Sequence, residues 1–151
     1  MIKILCDSIS DLPLDVIEKY NVEVVLLTVI FNGTEYLDGI TLSNEEFYKM
    51  LRGTTSMPKT SQATYAQFKK CFDKYNDTDV EVLYIGGSSS ASGTFQSATI
   101  AKKDGYDNIT LFDTQNVSIG SSLFVIKACE MVEKGYKMDE IIHNLELMKG
   151  D

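Results

Sequence analysis

Apolar and polar positions alternate in blocks along this chain. Ile2 to Cys6 is a short apolar run that empties into Asp7-Ser8-Ile9-Ser10-Asp11-Leu12-Pro13, so a buried strand followed by a polar loop is expected. Pro13 suits the first turn of a helix with Asp11 as its cap, and Leu14, Ile17 and Tyr20 fall on one face of it. Val22 to Phe31 is β-branched and nearly continuous, the pattern of a strand covered on both faces. Asn32-Gly33 is a hairpin turn signal, Thr34 to Leu37 can return as a short strand, and Asp38-Gly39 turns again. Ser43-Asn44-Glu45-Glu46 matches a capping box and predicts a helix to about Arg52. Gly53 to Gln62 reads as a loop, and Thr64-Tyr65-Ala66-Gln67 opens another helix, to about Tyr75.

Val80 to Ile85 predicts a strand, and Thr94 to Lys103 a helix. Between them lies Gly86 to Gly93, built only of glycine, serine and alanine. Asn108 to Phe112 predicts a strand ending at Asp113, and a helix should follow from about Ile119 to Lys134, stopped by Gly135. Met138, Ile141, Ile142, Leu145 and Met148 mark a final amphipathic helix. Strand and helix alternate over most of the length. The expected class is therefore α/β, a mostly parallel sheet with helices on both faces. Ligands of such sheets gather at the carboxyl ends of the strands. Three loops should meet there: Asp7 to Asp11, Gly86 to Ser92, and Asp113 to Ser118. The Thr60-Ser61-Gln62 loop precedes a helix that packs beside them and can reach the same edge.

Helix amino ends carry unpaired N–H groups and a partial positive charge, so the serine-rich loop before Thr94 suits a carboxylate or a phosphate. Beside that stands a plainer reading, in which Ser92 caps the helix and the loop is a turn.

Composition narrows the partners. The 151 residues suffice for one domain with a core, and their 44% hydrophobic and 24% charged content is ordinary for a globular protein. The net charge is −8 and Arg52 is the only arginine, which argues against nucleic acid and against an arginine clamp. No apolar run approaches the roughly 20 residues of a membrane span, and the first residues do not read as a signal peptide. The 3 cysteines, Cys6, Cys71 and Cys129, are widely spaced and expected to be buried small hydrophobes in a reducing cytoplasm.

Several chemistries lack their residues. There is no GxxxxGK[ST], GxGxxG or GxSxG, and no zinc spacing of His and Cys. His143, the only histidine, falls on the polar side of the last helix, where a solvated surface residue is expected rather than a base. Asp7 and Asp113 each follow a strand and can hold Mg²⁺ together, or each can tie a loop through backbone N–H groups, which is the favoured reading.

Taken in order, these pieces resemble the DegV family of bacterial fatty-acid-binding proteins. The resemblance rests on Asp7-Ser8-Ile9-Ser10-Asp11-Leu12-Pro13, on Val24 to Phe31 with Tyr36-Leu37-Asp38-Gly39, and on Pro58-Lys59-Thr60-Ser61-Gln62. It rests also on Ser88 to Ala98 and, more weakly, on Asp113 to Gly120. The chain departs from the family at Ala63, Ser90 and Ala91. The resemblance implies that residues 1–151 form a single α/β domain corresponding to the N-terminal half of such a protein, without its second domain. It implies a bound long-chain fatty acid rather than a cofactor or metal. Thr60 and Ser92 would be the head-group hydroxyls, with Ser61, Gly93 and Thr94 completing the cradle. It implies a non-enzymatic, cytoplasmic carrier that presents the acid to a fatty acid kinase for phospholipid synthesis. The alternative is a Mg²⁺-dependent phosphoryl-transfer or phosphoester hydrolase domain that uses the serine loop for phosphate. A third reading is an interaction domain that pairs an apolar face with a partner chain.

Overall fold

A computed structural model describes residues 1–7, 12–25, 28–31, 34–37, 59–61, 64–76, 78–86, 93–103, 105–115 and 119–149. Strands β1 (Ile2–Asp7), β2 (Glu23–Val25), β6 (Glu81–Gly86) and β7 (Ile109–Asp113) form a four-stranded sheet in the order β2-β1-β6-β7, every pair parallel. A second sheet has the order β4-β3-β5, from β3 (Thr28–Phe31), β4 (Thr34–Leu37) and β5 (Lys59–Ser61), and is antiparallel. Helices α1 (Leu14–Tyr20), α2 (Tyr65–Asp73), α3 (Thr94–Lys102), α4 (Ile119–Glu133) and α5 (Met138–Lys149) complete the described elements.

Period-two alternation along β1 and β6 divides the core. Ile4, Cys6, Leu83 and Ile85 face one side, where Val125, Ala128 and Cys129 of α4 and Ile141 and Leu145 of α5 cover them. Leu5, Val82 and Tyr84 face the other, against Phe68 and Phe72 of α2 and Ala98 and Ala101 of α3. Each fully buried large side chain contributes on the order of 1.5–3 kcal/mol, so each strand helps to hold both helical layers. The α/β reading with helices on both faces is borne out.

Four local expectations are corrected. Val22 to Phe31 is two strands, not one. The last pair of β2 with β1 is Asp7↔Val25, where β1 ends, so the parallel ladder has no partner beyond it. Thr28–Phe31 joins the second sheet instead. The Gly53 to Gln62 loop contains β5, whose Lys59, Thr60 and Ser61 pair with Ile30, Val29 and Thr28. Backbone bonds hold it, and a polar tripeptide makes them as well as an apolar one. Pro13 precedes α1 in extended conformation rather than opening its first turn, and its carbonyl accepts the N–H groups of Val16 and Ile17 at 3.1 and 3.2 Å. Leu14 is 69% exposed, whereas Ile17 and Tyr20 pack on the core with Leu12.

The expected cap at Asp11 and helix from Ser43 to Arg52 lie outside the described residues. The capping box of α2 is present: the Gln67 N–H donates to Thr64 Oγ1 at 3.2 Å, and the Thr64 N–H donates to Gln67 Oε1 at 2.8 Å. Gly135, at φ +84°, follows α4 as its stop. Cys6 and Cys129 are buried and Cys71 is half-buried. His143 is exposed on α5. No helix among the described residues is long and apolar enough to cross a membrane.

Candidate functional site

The strand order places the site. From β1 the chain moves outward to β2, while from β6 it moves the other way to β7, so the connections diverge between β1 and β6. A crevice outside the carboxyl ends of two such strands is where open α/β sheets bind ligands. Cys6 pairs with Ile85 and Gly86 with Asp113, so Asp7, Gly86 and Asp113 finish at one level of the sheet. The loops that leave them are those expected to meet. The Thr114 N–H donates to the Gly86 carbonyl at 3.2 Å, joining the ends of β7 and β6.

On the β6 side, α3 begins. Its cap is Gly93, in helical conformation with no side-chain cap bond, rather than Ser92, which lies outside the described residues. A helix amino end at the carboxyl edge of a parallel sheet is a position at which anions bind. The Gly93 carbonyl accepts the Ser97 N–H at 3.0 Å, which starts the helix. Thr94, at the first helical position, is fully buried, so its side chain lies in the packed layer. Thr60 and Ser61 stand on β5 of the other sheet, and Thr64, three residues after Ser61, caps α2. The two candidate head-group stretches therefore come from different sheets.

Below the crevice lies a polar pair the sequence reading missed. Asp7 is 1% exposed, and the buried Tyr84 hydroxyl donates to its Oδ2. Burial is the largest influence on Tyr84, followed by the charge and hydrogen bond of Asp7, and together they raise its pKa well above the ordinary tyrosine value. Tyr84 sits edge-on to Phe68, with centroids 5.1 Å apart, and meets Phe95 at 5.8 Å. The tyrosine belongs to an apolar strand, and only the fold reveals that its hydroxyl reaches the end of β1. Thr114, just after β7, and Ser121 and Ser122, in the first turn of α4, are buried and were likewise not singled out.

Asp113 Oδ1 accepts the Gln115 N–H at 2.9 Å, tying its own loop as the favoured reading held. Lys149, at the end of α5, donates to the Asp113 carbonyl at 3.3 Å. Among the described residues, no group of three or more His, Cys, Asp and Glu is arranged to hold a metal ion. A groove of about 830 Å³, lined by Met1, Glu81, Tyr136 and Met138 among others, opens at the amino end of the sheet, opposite the crevice. It contains none of the candidate residues.

Exposed apolar side chains stand on helices that start or end near the carboxyl edge of the sheet. Tyr65, Leu123 and Leu14 open or lie near the starts of α2, α4 and α1, and Leu147 and Met148 end α5. All five are exposed. Helices α1 and α4 follow parallel strands and α2 leads into one, so all three start at the carboxyl edge, and the Lys149 contact brings the end of α5 to the same edge.

The DegV family model, described as "Uncharacterised protein, DegV family", matches residues 1–150. A DegV domain-containing protein of Caldanaerobacter subterraneus subsp. tengcongensis is 38% identical over 142 residues, 93% of this chain and 50% of the relative. A structure described as fatty acid binding of a DegV family protein from Thermus thermophilus has a TM-score of 0.89 at 32% identity, covering 99% of this chain and 54% of that one. A stearic acid-binding protein from Eubacterium ventriosum has a TM-score of 0.87 at 27% identity, covering 97% and 52%. The chain thus spans about half the length of these relatives. With the parallel sheet, the crevice and the family match agreeing along its length, this chain belongs to the DegV family.

Proposed function

We propose that this chain is the head-group half of a long-chain fatty acid carrier. The observation that carries the reading is its likeness, over 99% of its length, to a DegV protein described as binding fatty acid. The crevice chemistry is compatible with it. Helix α3 begins at Gly93, close in sequence to the end of β6, and exposed apolar side chains stand at Leu14, at the start of α1, and at Leu123, near the start of α4. In this reading Thr60 and Ser61 approach the carboxylate from β5, and Ser92, Gly93 and Thr94 from the serine-rich stretch that opens α3. Charge-assisted hydrogen bonds of this type contribute roughly 1.5–3 kcal/mol each. Each methylene buried contributes about 0.8 kcal/mol, so the tail dominates affinity and the cradle fixes orientation.

Residues 1–151 act in this proposal as one domain, and a second domain of the family type closes over the tail. The carrier works in the cytoplasm, uses no cofactor or metal, catalyses nothing itself, and presents the acid to a fatty acid kinase. Native mass spectrometry of the purified protein, followed by organic extraction, tests this. A long-chain fatty acid near one per chain is expected. If neither this chain nor a two-domain form retains or takes up stearate, the carrier reading is wrong.

A further inference from the structure

The structure assigns Gly86 a positioning role: its missing side chain lets Phe95 seat against Tyr84, and that contact sets the first turn of α3 over the crevice. The inference rests on the reading of that turn as the carboxylate cradle. Gly86 ends β6, pairs with Asp113 and accepts the Thr114 N–H. A Cβ built on it would lie 2.6 Å from Phe95 Cδ2, 2.8 Å from Tyr84 Cε1 and 2.9 Å from Tyr84 Oη. All three are closer than side chains pack, so both rings of the Tyr84–Phe95 contact must give. Tyr84 is held: it is fully buried, donates to Asp7 and is wedged edge-on against Phe68. Phe95 is only half-buried, and it is the second residue of α3.

Phe95 therefore shifts further than Tyr84, and the helix start shifts with it. Its carbonyl accepts the Thr99 hydroxyl at 3.0 Å, and its neighbours Gly93 and Ser97 share the first helical bond. A ring shifted by an added methyl drags the Gly93, Thr94 and Phe95 N–H groups away from the end of β6. Gly86 does not touch the ligand in this account. It acts through Phe95.

The test uses Gly86→Ala, Phe95→Leu and the double variant. The readouts are the dissociation constant of cis-parinaric acid, a fluorescent long-chain fatty acid, and amide hydrogen exchange without ligand. Gly86→Ala should raise the dissociation constant about tenfold, and speed exchange at residues 97–100, the first amides bonded within α3, more than at the β1 and β6 amides. Phe95→Leu removes the ring without a clash and should speed the same amides, so the inference stays testable if Gly86→Ala folds poorly. In the double variant the two effects should fall short of additive, because both disturb one contact. Unchanged exchange at residues 97–100 in Phe95→Leu, or a loss of protection in Gly86→Ala no larger there than over β1 and β6, overturns the positioning role. Parent protein that binds no cis-parinaric acid, together with selective exchange at residues 97–100 in the variants, overturns the carboxylate reading and leaves the positioning of α3 standing.

Discussion

The hydroxyl of Tyr84 donates to the carboxylate of Asp7, and the bond joins the carboxyl end of β1 to the middle strand beside it, 77 residues away in sequence. Both side chains are almost wholly excluded from water. A buried carboxylate that loses a donor retains its desolvation cost, which is why breaking such a pair costs more than the bond itself contributes. Tyr84→Phe should therefore lower unfolding free energy by about 1–3 kcal/mol, with the denaturant slope unchanged. An effect under about 0.5 kcal/mol, the range of ordinary surface substitutions, would show that the pair does not hold the two strands together.

The proposed head-group hydroxyls make a separate prediction, in binding rather than stability. Ser92→Ala and Thr60→Ala should each weaken long-chain fatty acid binding by about 1–2 kcal/mol, with thermal unfolding little changed. Thr60 stands on β5 of the second sheet and Ser92 precedes α3, so parallel losses would argue that both converge on one carboxylate. A variant that folds normally and binds as the parent does removes its residue from the cradle.

Much of the architecture was readable because it rests on local pattern. Leu5 faces opposite to Ile4 and Cys6, and Tyr84 opposite to Leu83 and Ile85, as period two requires. The box at Thr64 and the stop at Gly135 are short-range and appear as expected. What escaped depends on partners far along the chain. Val22 to Phe31 divides because β1 ends at Asp7, which no feature of the run itself reveals. β5 is polar and held by its backbone, so hydropathy is blind to it. Asp7 and Asp113 were legible as carboxylates at strand ends, but the Tyr84 donor came from a strand whose apolar pattern suggested only packing. The cap fell on Gly93 rather than on the hydroxyl beside it. Thr60 and Ser92 are proposed through family resemblance alone, since serine and threonine side chains have many uses.

The capping box offers a control close to the cradle in sequence. Thr64 and Gln67 exchange hydrogen bonds at the start of α2, and Thr64 is exposed. Thr64→Ala should cost about 1 kcal/mol of stability, measured by urea unfolding, while fatty acid affinity stays at the parent value. A loss of affinity without a loss of stability would instead place Thr64 in the binding site.

Alkaline pH should expose the buried thiol of Cys129. It is 2% exposed on α4, and burial pushes its pKa from an ordinary 9.0 up to about 12, with Glu133 and Glu130 adding to the shift. Below the ordinary value the thiol keeps its proton in both states, and its contribution to stability is fully present. As pH rises towards about 12 the unfolded chain releases the proton while the folded chain holds it, so stability falls. One such group steepens the decline by up to about 1.4 kcal/mol per pH unit. Cys71 and Tyr75, also pushed up to about 12, and Tyr84 add to the same decline in the parent protein. Their contributions cancel when the parent is compared with Cys129→Ala, and the packing cost of that substitution does not vary with pH. Urea unfolding across this range should therefore give parallel curves for parent and variant below the ordinary thiol pKa and a shallower decline for the variant above it. Identical slopes throughout would mean that Cys129 ionises as readily in the folded protein as in the unfolded chain, and that α4 does not shield it.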